Sequence, residues 1–593
     1  MRDTAVGKQR PPLSTALLFA PVFVAVYLLH WTLLRLPYYW DEGSYYIPAA
    51  WDFFRLGTLI PETTMRNAHP PLPSILLAGW WKLTGFHVYS TRLLMCLVTT
   101  AALLAVFQLT RRFLDEYAAL AVLVLTGIYP VWFAQSTLAH ADMFAAVFTL
   151  WAVVFYADRE SWTGKPAAVA VPNAISAALL FSLAALAKET AIVVPAALFL
   201  LEAWLLLAGL RHYPGSALGD SASPKKEDPS TPLRFTQEDE SIPTDGKEDV
   251  PLPPGAAWRN SSVWLAAMAF PALPLLGWYL YHRAATGFMF GNPEFLRYNA
   301  TANLSGMRVL LSLWHRMTHL TVHMNLFVPV MATCVLLFVP ERKDAVATHR
   351  HNLRPGAARL LLVLLIAQWI AFSVLGGALL TRYLLPAYPM LLILCVAVWQ
   401  SRTRWWPAVA GVTLLAFAVG CEIAPPYPFT PEDNLAYRDM IVVQQHAIHQ
   451  LLQRYPGATV LTAWPVAADL QRPELGYVRT PVRTVSIENF ASDEVAKAAA
   501  NPSAFDVALV FSTKFDPPPG GLNLTGANRA NDKRFYDYHR DLLPGEIARA
   551  LGGSVVWQED RKGEWAALLS FPRGYDARLA KPTLTLGGRS RRL

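Results

Sequence analysis

Pro37-Tyr38-Tyr39-Trp40-Asp41-Glu42-Gly43-Ser44-Tyr45-Tyr46 follows directly on the apolar run Leu13–Leu36, and the same stretch closes on Asn67-Ala68-His69-Pro70-Pro71-Leu72. At about 1.5 Å per residue the apolar run is long enough to cross a hydrocarbon core of about 30 Å as a helix. Two adjacent acids among aromatic residues at the end of such a helix are costly unless their carboxylates meet water, a partner or a substrate. The stretch therefore predicts a membrane protein whose first loop, residues 37–72, is a place of chemistry.

Composition supports the membrane reading. Of 593 residues, 54% are hydrophobic and only 16% charged, with 20 Trp. A soluble enzyme carries more charge. The net charge of +8 needs no nucleic-acid partner, since Lys and Arg in cytoplasmic loops and beside lipid head groups account for it. Cys96, Cys334, Cys395 and Cys421 lie in or beside apolar segments without a CxxC spacing, so neither a disulfide framework nor a zinc site is indicated.

Outward from the first loop, Leu72–Leu83 is apolar but too short to span, and reads as an interfacial or re-entrant helix. Spans are expected near residues 91–110, 117–135, 142–157, 168–187 and 190–210, then 261–281, 320–339, 359–377, 384–400 and 405–422. With the first helix this makes about eleven crossings. Residues 211–258 are rich in Pro, Ser, Asp, Glu and Lys and lack the apolar surface that would offset ordering entropy, which predicts a disordered linker. From 423 to 593 the chain reads as a soluble α/β domain. Strands are expected at 458–462, 505–511 and 554–557, and helices at 432–454 and 536–551. That domain shows little catalytic patterning and is expected to support the site, dock an acceptor or act as a lid. The expected architecture is a polytopic α-helical membrane protein: a transmembrane half (1–210), the linker, a second half (259–422) and the α/β domain.

Arg111-Arg112, Arg159 with Lys165, Arg342-Lys343 and Arg402 with Arg404 fall in alternate loops, as does the basic N-terminus. The positive-inside rule places these in the cytoplasm, and an odd number of crossings places the C-terminal domain outside. Asp41, Glu42, His140, Asp142, Lys188, Glu189, Arg382 and Tyr383 then share the outer face. Each has a plainer reading: a solvated acid pair, a helix N-cap, a local ion pair, a snorkelling anchor. Flanking aromatics and an adjacent like charge are what raise a carboxyl pKa towards that of a general base, and this favours chemistry at Asp41 and Glu42. His315, His319 and His323 stand at i, i+4 and i+8 and are candidates for a divalent metal, although a stripe of interfacial histidines has the same spacing. No P-loop, dinucleotide fingerprint or serine nucleophile elbow is present in the sequence.

Taken together, Asp41-Glu42 in the first outer loop, His69-Pro70-Pro71-Leu72, Ala141-Asp142 opening the fourth span, Ala187-Lys188-Glu189-Thr190 and Arg382-Tyr383-Leu384-Leu385-Pro386 resemble the GT-C integral membrane glycosyltransferases. The similar branch is that of the protein O-mannosyltransferases and aminoarabinose lipid A transferases (glycosyltransferase family 39-like). The resemblance spans roughly residues 15–400 and omits the C-terminal domain.

It implies a sugar donor carried on a polyprenyl phosphate, used on the extracytoplasmic face of a cell membrane, with a lipid, glycan or protein acceptor and no nucleic acid. It matches Asp41 to the base that deprotonates the acceptor hydroxyl and Glu42 to its partner. A single displacement would invert the anomeric centre. The phosphate leaving group needs positive charge, for which Arg382, Lys188 and Arg92 are candidates, with Tyr383 and His69 as hydrogen-bonding support. His140, Asp142 and Glu189 would serve the acceptor side or hold the others in place. The compact loops suggest a bacterial inner membrane. A transporter or flippase of a lipid-linked sugar is the alternative, but matching broken helices in the two halves, which a transporter would show, are not seen between 1–210 and 261–422.

Overall fold

The computed structural model describes residues 14–158, 171–211, 254–291, 305–342, 353–375, 379–515, 529–536 and 539–572. The first part of the chain is helical: α1 (Thr15–Leu29), α2 (Ile47–Leu56), α3 (Leu72–Thr84), α4 (Val88–Phe113), α5 (Glu116–Ile128), α6 (Pro130–Gln135), α7 (Ala141–Ala157), α8 (Val171–Ala187) and α9 (Val193–Arg211). After the undescribed stretch come α10 (Pro254–Ala269), α11 (Ala272–Thr286), α12 (Gly306–Thr321), α13 (Phe327–Leu337), α14 (Pro355–Leu375), α15 (Ala387–Arg402) and α16 (Trp406–Glu422). Among the described residues four helices are long and apolar enough to cross a membrane, Val88–Phe113, Glu189–Leu207, Ser261–Thr286 and Pro355–Leu375, and seven more apolar helices of 10–17 residues accompany them.

The outer surfaces of these helices expose large apolar side chains such as Leu200, Leu207, Phe338 and Leu415, as a lipid-facing surface does. The interior is tightly filled by α4 and α7, whose buried faces carry Cys96, Leu103, Phe107, Met143, Leu150 and Tyr156. Two of the buried tryptophans satisfy their indole N–H within the helical part: Trp132 donates to the Leu385 carbonyl at 2.9 Å and Trp81 to Thr91 Oγ1 at 2.9 Å. All four cysteines are free.

Several sequence expectations shift. The short apolar piece is a 13-residue helix, as its length required. The span expected at 320–339 is interrupted, because α12 ends at Thr321 and Met324 and Asn325 adopt left-handed φ of 48° and 66° before α13. The linker expected at 211–258 lies mostly outside the described residues, but helix α9 reaches Arg211 and α10 begins at Pro254, so helix occupies both of its margins.

The last part of the chain builds α17 (Ala436–Arg454), β1 (Val460–Ala463), α18 (Val466–Gln471), β2 (Thr484–Ile487), α19 (Ser492–Ala499), β3 (Val507–Phe511), α20 (Arg529–Tyr536), α21 (Pro544–Leu551), β4 (Ser554–Arg561) and β5 (Glu564–Ser570). The strands form one sheet in the order β2-β1-β3-β5-β4. The β1 strand runs parallel to β2 and β3, whereas β5 is antiparallel to β3 and β4. Strands β1, β3 and β4 fall where the sequence predicts strands. Strands β2 and β5 were not anticipated. The helix expected at 432–454 starts at Ala436, where the Asn434 side chain accepts the Ala436 amide at 2.9 Å. Of the helix expected at 536–551, the described residues hold Pro544–Leu551, which starts on a proline, a residue suited to a first helical turn.

This α/β unit grips the first loop directly. The Tyr38 amide donates to the Leu475 carbonyl at 3.1 Å, Trp464 Nε1 donates to Ser44 Oγ at 2.7 Å, and the Trp40 and Trp464 rings meet edge-on with centroids 4.6 Å apart.

Candidate active site

The first loop begins under strain. Trp40 has a left-handed φ of 53°, uncommon for a residue with a bulky side chain, and Glu42–Tyr46 winds as a π-helical turn before α2. Both features are frequent at functional sites. Their effect is to send two consecutive carboxylates in opposite directions.

Glu42 points inward and is fully buried. Its carboxylate accepts from Arg92 Nη1 at 2.5 Å and Nη2 at 3.0 Å, from the Tyr39 amide at 3.0 Å and from the Ala139 amide at 2.8 Å. Arg92 also donates to the carbonyls of Thr137 (2.7 Å) and Pro37 (2.9 Å). This is a closed ion pair joining loop, α4 and the α6–α7 turn. The sequence reading placed Arg92 on the donor phosphate; the structure places its guanidinium on Glu42 and on backbone carbonyls instead.

Asp41 points the other way, with 34% of its side chain exposed, and pairs with Arg382 Nη2. Arg382 sits in the 3₁₀ turn Thr381–Leu384 between α14 and α15 and is itself buried. Its Nη1 pairs with Glu432, and its Nε lies 3.3 Å from Asp142 Oδ2. Asp142, in the first turn of α7, also takes Lys188 Nζ at 2.5 Å. The Lys188 ammonium stands 3.9 Å from the centroid of the Tyr383 ring, a cation–π contact. Arg382 and Lys188 thus form a pair of buried cations facing Asp41, Asp142 and Glu432.

Around them, His69 Nδ1 meets the Glu189 carboxylate at 3.1 Å, and Tyr46 lies between the rings of His69 and His140. His140 Nδ1 bonds Gln135 Oε1 at 2.8 Å. Burial, then the nearby Arg382 and Lys188, hold this imidazole neutral. The sequence-predicted Asp41, His69, His140, Asp142, Lys188, Glu189, Arg382 and Tyr383 therefore come together in one place.

Glu432 was not anticipated. It lies just before α17, in a region expected to provide support rather than site residues. Only tertiary folding brings it to Arg382. Burial drives its carboxyl up to about 8, against the lowering effect of Arg382 and with the like charges of Asp41, Asp433 and Asp142 adding to the rise. Its neighbour Asp433 is held by His323 Nε2 at 2.9 Å, Thr430 Oγ1 at 3.0 Å and the Thr381 hydroxyl. Gln135 Nε2 donates to the Glu432 carbonyl at 3.3 Å, fixing the turn from below.

The three histidines proposed from spacing do not share one helix face. His323 falls beyond the end of α12 and turns to Asp433, while His315 packs edge-on against Tyr536 with centroids 5.5 Å apart. Among the described residues no three His, Cys, Asp or Glu side chains are grouped as a metal site would need.

Beside Arg382 and Lys188 lies a small, partly open cavity. Its head is polar, formed by Asp142, Lys188 and Arg382, and its walls are apolar, including Ala145, Val194 and Phe372. The arrangement suits an amphiphile with an anionic head.

Residues 68–214 match a family described as dolichyl-phosphate-mannose-protein mannosyltransferase. No curated protein matches the chain. Among solved structures, ArnT from Cupriavidus metallidurans bound to undecaprenyl phosphate is similar with a TM-score of 0.50 at 15% identity, over 96% of this chain and 99% of that one. The same protein in the apo state gives a TM-score of 0.48 at 15% identity, over 96% and 100%. The archaeal oligosaccharyltransferase AglB from Archaeoglobus fulgidus, in complex with an inhibitory peptide and a dolichol-phosphate, gives 0.43 at 12% identity, over 96% and 75%. The likeness to ArnT is one of fold, and it extends through the α/β unit.

Proposed function

We propose that this chain is a GT-C membrane glycosyltransferase that transfers a sugar from a polyprenyl-phosphate donor to an acceptor hydroxyl on the extracytoplasmic face of a cell membrane, inverting the anomeric centre. The observation that carries this reading is the placement of two buried cations, Arg382 and Lys188, at the head of a cavity with apolar walls, Arg382 being paired with Asp41, the acid that reaches solvent. The donor phosphate takes the cationic head and the first isoprene units take the apolar walls.

The acceptor approaches from the solvent side of Asp41. As its oxygen forms the new bond to the anomeric carbon, its proton passes to the Asp41 carboxylate. The bond from that carbon to the phosphate oxygen breaks, and the electron pair leaves with the phosphate. Arg382 and Lys188 stabilise the charge gained by the leaving group, an interaction stronger in the transition state than in the bound donor. Glu42 and Arg92 hold the loop from which Asp41 projects. In this reading the N-terminus and the 211–258 segment are cytoplasmic and the eleven apolar helices all cross, which places the α/β domain outside beside the acceptor.

The test is transfer of labelled sugar from a synthetic polyprenyl-phosphate donor to a panel of hydroxyl acceptors and water. Purified wild type is compared with Asp41→Asn, which keeps the shape and removes the proton acceptor. Wild-type turnover that falls by two to four orders of magnitude in the variant is the expected result. Retained turnover in Asp41→Asn would reject Asp41 as the base. Donor binding without turnover across the whole panel would favour transport of a lipid-linked sugar.

A further inference from the structure

Arg382 is the cation best placed to meet the donor phosphate, yet both ends of its guanidinium are occupied, one by Asp41 and one by Glu432. We propose that Glu432 is a place-holder for the donor phosphate: its carboxylate occupies Arg382 in the empty site, and it takes up a proton and yields that arm when an anionic head group binds. This rests on the reading of Arg382 as the phosphate-binding residue.

The argument is one of charge. Arg382 and Lys188 face the carboxylates of Asp41, Asp142 and Glu432, so the ionised cluster already carries one excess negative charge. Adding a phosphate to a buried cluster of that sign is unfavourable unless a carboxylate is neutralised. Asp142 is engaged by Lys188 at 2.5 Å and stands in the first turn of α7. Asp41 is partly solvated, and Asp433 is occupied by His323, Thr430 and Thr381.

Glu432 alone combines a buried carboxyl, a raised affinity for protons and an oxygen, Oε2, without a hydrogen-bond partner among the described residues. That oxygen lies 3.9 Å from His140 Nδ1, which is already engaged by Gln135. The groups facing Glu432 are Arg382, Asp41, Asp142, Asp433, His140 and the Tyr39 hydroxyl. His140 is held neutral and Tyr39 protonated, so near pH 8 neither competes for the proton.

The sign follows. A bound phosphate disfavours the ionised form of Glu432, so binding takes up a proton wherever Glu432 is ionised in the free protein. With its carboxyl near 8, uptake is small at pH 7 and approaches one proton by about pH 9. Affinity for the anion falls over the same interval, by roughly tenfold between pH 7 and pH 9.

Isothermal titration of undecaprenyl phosphate into the detergent-solubilised full chain tests this, run at several pH values in buffers of different protonation enthalpy. Above about pH 7.5 the probe's own phosphate is already doubly ionised and contributes no proton. Wild type is expected to take up close to one proton at pH 9 and to lose about tenfold in affinity. Glu432→Gln, which keeps shape and hydrogen bonding without a titrating group, is expected to bind at pH 9 roughly tenfold tighter than wild type without that uptake. Wild-type binding with no proton uptake at pH 9 overturns the place-holder role, whether or not the variant folds. Equal uptake by wild type and Glu432→Gln overturns it as well. Failure of wild type to bind the probe at any pH overturns instead the reading of this site as a polyprenyl-phosphate site.

Discussion

Replacing Glu42 separates structural from chemical roles in the Asp41-Glu42 pair. The Glu42 carboxylate is fully buried and takes four donors, two from Arg92 and one each from the Tyr39 and Ala139 amides. In Glu42→Gln the charge opposite Arg92 disappears, and the new amide group must point its N–H bonds at one set of these donors. Breaking a buried ion pair by removing one partner costs about 3–5 kcal/mol, because the remaining charge stays out of water. A loss of that size lowers a thermal midpoint by roughly 6–20 °C at the sensitivity of larger domains. Tryptophan fluorescence of the solubilised protein reads it.

Asp41→Asn should move the same midpoint far less, since the Asp41 side chain is 34% exposed and its pairing is screened by water. A double replacement, Glu42→Leu with Arg92→Met, should be more stable than either single replacement, because two apolar groups remove the uncompensated charge. An unchanged midpoint in Glu42→Gln, together with lost transfer, would refute the reasoning and put Glu42 in the chemistry.

Narrowing the cavity should act on the donor alone: Ala145→Leu, on the apolar wall below Asp142, is expected to weaken undecaprenyl-phosphate binding at least tenfold while leaving the thermal midpoint within a few degrees. Unchanged binding by titration would place the prenyl chain elsewhere. Asp469, in α18 near the Tyr477 hydroxyl, is buried, and burial raises its carboxyl well above 3.8. A folded value above the unfolded one makes its contribution fully present below about pH 3.8 and lost as pH rises through the folded value. Asp469→Asn is therefore expected to gain on wild type, by on the order of 1 kcal/mol, as pH is raised from 5 to 8, and a constant difference across that range in thermal unfolding would reject the burial argument.

Much of the site could be read in the sequence because polar residues are conspicuous in an apolar chain. Asp41, Asp142, Lys188 and Arg382 each interrupt or flank a long hydrophobic run, and an unpaired charge there is so costly that its presence implies a partner. The helices were legible for the same reason, since length and hydropathy decide them locally.

What the sequence by itself determined was a membrane-embedded helical chain with its unusual polar residues near helix ends. Only the tertiary structure decided who pairs with whom. Asp41 and Glu42 are adjacent and chemically alike, yet the left-handed Trp40 and the π-turn after it bury one against Arg92 and leave the other partly exposed beside Arg382. Glu432 reaches Arg382 because the segment after α16 folds back over the helices, and the break at Met324 turns His323 onto Asp433 rather than towards His315. Backbone turns and long-range docking set these outcomes. Pairwise electrostatics acts over a few ångströms of space, and sequence spacing conveys that distance only within a single helix or turn.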